Sequence, residues 1–153
     1  MRFEFKVPGI PVGQPRVKAF SRGGHAGVYN PTKTSSGKSN GVAEFKAALR
    51  LAASPLLNGG PLLVGPLRVD VEFVFPRQAT KVWKSRPMPR YRKTTKPDRD
   101  NLDKLVMDAL TGVLWQDDNQ VCAGTIDKWH AAGDEAPHVL VVVTTIPVEG
   151  ATK

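Results

Sequence analysis

A single cysteine, Cys122, in 153 residues leaves no internal disulfide and no cysteine-based zinc cluster. A lone thiol suits a reducing compartment. The opening MRFEFKVPGIPVG carries no apolar leader, and no run approaches the roughly 18 apolar residues of a membrane span. The expectation is a cytoplasmic protein with no membrane partner. Cys122 falls in a predicted strand and is assigned to the core. Histidine is also scarce: His25, His130 and His138 lack metal-ligand spacing and are read as structural or surface residues. Acids are outnumbered, 14 Asp and Glu against 22 Lys and Arg, so the net charge is +8.

Such an excess of positive charge attracts polyanions, and it is unevenly spread. Residues 1–42 hold seven Lys or Arg against Glu4 alone, and Arg77–Lys96 holds eight with no acid. From Leu105 onward, two lysines face seven acids. Basic surfaces that hold phosphates beside a local acidic centre that holds a metal are what a metal-using nuclease needs. With 41% hydrophobic and 24% charged residues, the chain otherwise reads as an ordinary globular domain spanning 1–153, large enough to bury a core.

Phe3, Phe5 and Val7 alternate with polar neighbours and predict a strand over Arg2–Val7. Residues 11–41 read as a long basic loop rich in Gly, Ser and Pro, with a short hairpin around Val28 and Tyr29. Good helix formers predict a helix over Val42–Ala53, with Phe45, Leu49 and Ala52 on one face. Leu67–Phe75 alternates strictly, turning Leu67, Val69, Val71, Phe73 and Phe75 toward a core. Residues 76–96 form a second long basic loop, and a structureless stretch of that length is functional or disordered. Its Trp83 and Tyr91 suit stacking on a base and local packing equally. A helix over Asp100–Thr111 places Leu102, Leu105, Val106, Ala109 and Leu110 on one buried stripe, stopped by Gly112. Strands around Val121–Trp129 and Val139–Ile146 follow, separated by the turn Ala132-Gly133-Asp134. The order predicts an α+β fold: a small mixed β-sheet with two main helices packed on it.

The start of the second helix is crowded with charge. Asp100 can cap it, and Asp103 can reach back as in a capping box, which leaves Asp98 without a role. Pro97 favours an extended approach. With residues 97–100 extended, Asp98 and Asp100 project to one side, where each raises the cost of ionising the other unless a cation lies between them. A hard divalent ion is the natural partner. Lys104, one turn past Asp100, can contact a phosphate. Downstream, Asp117 and Asp118 read as an acidic turn that reaches the helix start only if that turn or the next strand runs along it. A calcium-loop reading of Asp98-x-Asp100 fails, because the sixth position is Asp103 and the twelfth is Ala109.

The run Lys96-Pro97-Asp98-Arg99-Asp100-Asn101-Leu102-Asp103-Lys104-Leu105-Val106-Met107-Asp108-Ala109-Leu110, followed by Trp115-x-Asp117-Asp118-x-Gln120-Val121, closely resembles the RusA family of Holliday-junction resolvases. Gly13-x-Pro15-Arg16 and Tyr29-x-Pro31 look like weaker features of that family. The resemblance implies a homodimeric, RusA-like α+β endonuclease that binds four-way or other branched DNA in recombination and repair. It would cut phosphodiester bonds with Mg²⁺, Mn²⁺ substituting, and leave 5′-phosphate and 3′-hydroxyl ends. Carried over by position, Asp98, Asp100 and Asp118 are the essential acids and metal ligands, with Asp117 a further candidate ligand, and Lys104 is the essential lysine. Asp103 falls at a variable position and is left to capping or surface. Arg16, Lys18, Arg22, Lys81, Lys84, Arg86, Arg90, Arg92, Lys93 and Lys96 are the cations expected to hold the DNA backbone. Two rival readings stand beside this one: a non-catalytic basic DNA-binding protein, and a metal-dependent enzyme acting on small phosphorylated substrates.

Overall fold

A computed structural model describes residues 1–15 and 17–149; Arg16, a predicted DNA contact, lies outside them. The strands are β1 Arg2–Pro8, β2 Lys18–Arg22, β3 His25–Tyr29, β4 Leu67–Phe75, β5 Tyr91–Arg92, β6 Val121–Ala123, β7 Ile126–His130 and β8 His138–Thr145. The helices are α1 Val42–Ala53, between β3 and β4, and α2 Arg99–Leu110, between β5 and β6. The main sheet runs β1-β8-β4-β7-β5, with β6 also on β4. It is mixed, since β4 pairs antiparallel with β8 but parallel with β6 and β7. The predicted α+β architecture with two main helices is what forms. Among the described residues, no helix is long and apolar enough to cross a membrane.

The core lies between one face of this sheet and the two helices. The alternating residues of β4 are buried with Val139, Val141 and Val143 of β8, in a register that sets Val71 opposite Val141. Phe45, Leu49 and Ala53 of α1 close it, together with the predicted stripe Leu102, Leu105, Val106, Ala109 and Leu110 of α2. Fully burying an aliphatic side chain of this kind contributes ~1.5–3 kcal/mol, so this stripe rigidly fixes how α2 presents its opposite face. Ala53 is buried where Ala52 was expected, and Ala52 packs only partly against the core.

Several expectations are corrected. The predicted strand Val121–Trp129 is two strands, both parallel to β4 and separated at Gly124. A Cβ on Gly124 (φ +143) would lie 1.8 Å from the Val69 carbonyl oxygen, so the chain crosses β4 at backbone contact and cannot continue as one ladder. The Asp70 carboxylate holds the crossing by accepting from the Thr125 N–H at 2.9 Å. Cys122 is exposed, since it bulges out between Val121 and Ala123, which pair with Leu67 and Arg68 of β4. Residues 76–96 are structured, with a 3₁₀ turn at Ala79–Lys81 and the edge strand β5. Within 11–41 the hairpin is longer than expected, and Gly23 (φ +58) and Gly24 (φ +80) close it in the geometry that suits strand twist. His130 and His138 are buried, their Nδ1 atoms donating to the Pro76 and Ala136 carbonyls, in line with their structural reading.

Candidate active site

The segment leading into α2 decides the site. Asp98 is extended (φ −68, ψ 149) and serves as the N-cap residue, its carbonyl accepting from the Leu102 N–H at 3.1 Å. No side chain caps the helix. The capping roles expected of Asp100 and Asp103 are therefore overturned, as is the extended run 97–100. Once past Pro97 nothing disfavours helix, and an acid in the first turn suits the positive end of the helix dipole. Asp100 instead stands exposed in the first turn, on a stripe that continues at half-buried Asp103, exposed Lys104 and half-buried Met107 by helical spacing.

Two clefts flank this helix start. One, of about 530 Å³, is lined by Gly13, Gln14, Pro15, Lys96, Pro97, Asp98 and Asn101. The Gln14 N–H donates to the Asn101 carbonyl at 2.9 Å and holds segment 13–15 against α2. Only glycine permits this approach, because a Cβ on Gly13 would lie 2.8 Å from the Pro97 Cβ. The Gln14 Oε1 atom is buried with no hydrogen-bond partner among the described residues.

The second cleft, of about 410 Å³, joins Asp103, Lys104, Met107 and Asp108 to Asp118, Asn119 and Val121. The turn after Trp115 thus brings Asp118 alongside Lys104 and Asp108, past the first turn of α2, while Asp98 lines the other cleft. The same turn separates the two neighbouring acids. Asp117 caps a 3₁₀ turn, its Oδ1 accepting from the Asn119 N–H at 2.9 Å. Gln120 completes the box, accepting from the Asp117 N–H at 3.0 Å and donating to the Leu63 carbonyl at 2.9 Å. Asp118 is left pointing to no protein partner among the described residues.

Of the ten acids other than Asp98, Asp100, Asp103 and Asp118, six find cations, Glu4 pairing with Arg2, whereas Glu44, Asp117, Asp134 and Glu149 form no ion pair among the described residues. Arg68 neutralises Asp70, Lys46 pairs with Asp108, Arg92 with Asp127, and Arg90 with both Glu72 and Glu135. Asp98, Asp100, Asp103 and Asp118 form no ion pair among the described residues. Burial pushes the Asp103 carboxyl above its ordinary value, with Arg99 pulling it partly back. The oxygen-only donor set of Asp98, Asp100 and Asp118 fits a hard divalent ion. Among the described residues no three His, Cys, Asp or Glu side chains are gathered tightly enough to hold a metal on their own. Asp98 lines the first cleft and Asp118 the second, while Asp100 lines neither.

The predicted DNA contacts divide into tethered and open cations. Glu135 accepts from Arg90 Nε at 2.8 Å, and Arg90 holds the Glu135 carboxyl down at about 2. Arg92 donates to Asp127 at 2.7 Å and lies 3.6 Å over the Trp129 ring. Lys18, Arg22, Lys81, Lys84, Arg86 and Lys96 are exposed. Lys93 and Lys128 converge on Thr95, donating to its hydroxyl and carbonyl at 2.8 and 2.7 Å. Burial and the nearby Lys128 charge together lower the Lys93 pKa. Lys128 was missed by the sequence reading, because only strand pairing shows that it opposes Lys93. Trp83 and Tyr91 pack locally: Tyr91 stacks on His130 at 4.5 Å, and Trp83 lies beneath Arg86 and donates to the Pro87 carbonyl.

A family model described as Endodeoxyribonuclease RusA matches residues 8–144, a span that contains both clefts. The chain is also 30% identical over 148 residues to the Bacillus subtilis (strain 168) protein described as uncharacterized protein YqaN, covering 94% of this chain and 96% of that one.

Proposed function

The chain belongs to the endodeoxyribonuclease RusA family, and on that premise we propose that it resolves Holliday junctions and related branched DNA by Mg²⁺-dependent phosphodiester hydrolysis in recombination and repair. The observation that carries the reading is Asp118, an acid without an ion pair, facing Lys104 across one cleft, with Asp98, also unpaired, in a second cleft at the start of the same helix.

In this mechanism Asp98, Asp100 and Asp118 would hold the divalent ion through carboxylate oxygens, with Mn²⁺ able to substitute for Mg²⁺. The chemistry such an ion would supply there is an activated water and neutralisation of charge at the scissile phosphate. The Lys104 ammonium stabilises negative charge as it builds on the phosphate oxygens. Asp117 stays with its turn and keeps Asp118 aimed at the helix, a positioning role. Asn101 and Gln14 present amides at the wall of the cleft beside Asp98, suited to orienting a phosphate or a water. Lys18, Arg22, Lys81, Lys84, Arg86, Lys93 and Lys96 hold the backbone, so affinity falls steeply with salt. A cytoplasmic homodimer completes the proposal. A four-way junction offers two symmetry-related strands, and a two-fold pair of sites would cut both.

The test uses a synthetic four-way junction, a matching linear duplex and a small phosphodiester, each with and without Mg²⁺. The expected result is Mg²⁺-dependent nicking of the junction, slow or no cutting of the linear duplex, and no turnover of the small ester. Salt-sensitive binding without nicking would instead make this a non-catalytic DNA-binding protein. Turnover of the small ester that survives neutralising Lys81, Lys84 and Arg86 would point to small phosphorylated substrates.

A further inference from the structure

The β2–β3 ribbon forms a two-stranded sheet of its own, apart from the catalytic sheet. All its residues are exposed except Gly27, which is half-buried. A bare two-stranded hairpin is marginal in water, so the pattern of its side chains bears on what it meets. Its register pairs Lys18 with Tyr29, Phe20 with Gly27 and Arg22 with His25. Directly opposed residues share a face, so every cationic and aromatic side chain of the ribbon lies on one side. The other side carries only Ala19, Ser21, Ala26 and Val28.

Glycine at 27 shapes that charged face. A Cβ there would lie 2.7 Å from the Cε1 and Cζ atoms of Phe20, so the Phe20 ring lies across the strand opposite and does not stand clear of it. Phe20 and Tyr29 remain 47% and 48% exposed, with centroids 6.3 Å apart. Lys18 and Arg22 lie about 7 Å to either side of Phe20 along the strand. Exposed rings between backbone-binding cations are the combination that binds unpaired nucleotides, because every base has a face to stack. A linear duplex keeps those faces occupied by neighbouring bases. A branch point interrupts the stack and frees them. The ribbon also springs from the active-site wall: it begins at Lys18, three residues after cleft-lining Pro15.

We propose that the ribbon is a branch-sensing arm, its Phe20–Tyr29 face stacking on a base unstacked at the junction while Lys18 and Arg22 take the flanking phosphates. The inference rests on the nuclease reading above and deepens it, since it assigns the preference for branched DNA to this arm.

The experiment places 2-aminopurine, whose fluorescence reports stacking, at the branch of a four-way junction and at the same position of a linear duplex. Binding is followed without divalent metal, and cutting by the unmodified protein is followed separately with Mg²⁺. The unmodified protein should change the junction signal and leave the duplex signal unchanged. Phe20→Leu with Tyr29→Leu should abolish that change and weaken junction binding roughly 5- to 100-fold, with linear-duplex binding held. Phe20→Trp should restore the signal, and Ser21→Thr with Val28→Thr on the far face should alter nothing. Equal losses for junction and duplex, or leucine variants that behave like the parent, would overturn the arm. A Phe20→Trp variant as weak as the leucine pair would also overturn it. A parent protein that shifts the signal but never cuts would sink the nuclease reading and leave the arm standing.

Discussion

Arg77 donates to the carbonyls of Lys81, Pro89 and Ala131, whereas Lys18 and Arg22 donate to no protein group among the described residues. Both segments are rich in positive charge, and both read as basic loops. The difference lies in the acceptors within reach. Residues 77–96 run beside β7 and the turn after it, where Asp127, Glu135 and the Ala131 carbonyl meet Arg92, Arg90 and Arg77. The ribbon is exposed, and Lys18 and Arg22 form no ion pair among the described residues, so its cations stay available to a ligand. Counting charge alone therefore overstates the DNA-facing surface of the first segment and understates the specialisation of the second.

The contrast can be broken first at Arg77. Arg77→Ala strips donors from three carbonyls and removes a cation stacked on Trp83 and Tyr91. It should cost about 2–3 kcal/mol in thermal or urea unfolding. By contrast, Arg22→Ala should shift stability by less than about 0.5 kcal/mol, and its effect should appear as a salt dependence of DNA binding shallower by about 0.9. A destabilised Arg22→Ala and an unaffected Arg77→Ala would invert the comparison.

Glu135→Gln should sharpen it with a smaller effect, about 1–2 kcal/mol because the pair with Arg90 is partly open to solvent. Arg90 lowers the Glu135 carboxyl from its ordinary 4.5 to about 2. A depressed acid stabilises the fold above its unfolded value and loses that contribution as pH falls through the folded one. The stability gap between parent and Glu135→Gln should thus be full above about pH 4.5 and close by about pH 2. A gap independent of pH across that window would remove the ion pair from the account.

What was legible in the chain was whatever repeats with a period. The bounds of α1 and β4 and the buried stripe of α2 follow from spacing of apolar residues, which burial enforces directly. What was not legible depends on backbone meeting backbone from distant parts of the chain. The break at Gly124 exists because Val69 lies beneath it, and the Lys93–Lys128 pair exists because β5 lies against β7. The site shows the same division. The residue types at 98, 100, 104 and 118 raised the expectation of a metal-dependent chemistry, which the proposed mechanism carries forward. Which of two adjacent aspartates turns toward Lys104 was set by Gln120 reaching Leu63, a contact between residues far apart in the chain. The cap at Asp98 likewise follows from where the backbone leaves Pro97, which a pattern of acids does not encode.

The central claim is that Asp98 and Asp118 act in cutting and not in holding DNA. The direct measurement compares Asp98→Asn and Asp118→Asn with the parent, scoring junction binding without divalent metal and junction cleavage with Mg²⁺. Each substitution keeps shape and removes one negative charge. The account predicts junction affinity equal to or tighter than the parent's, with the cleavage rate down by about 10²–10³-fold or more. Cleavage at the parental rate by either variant would contradict it.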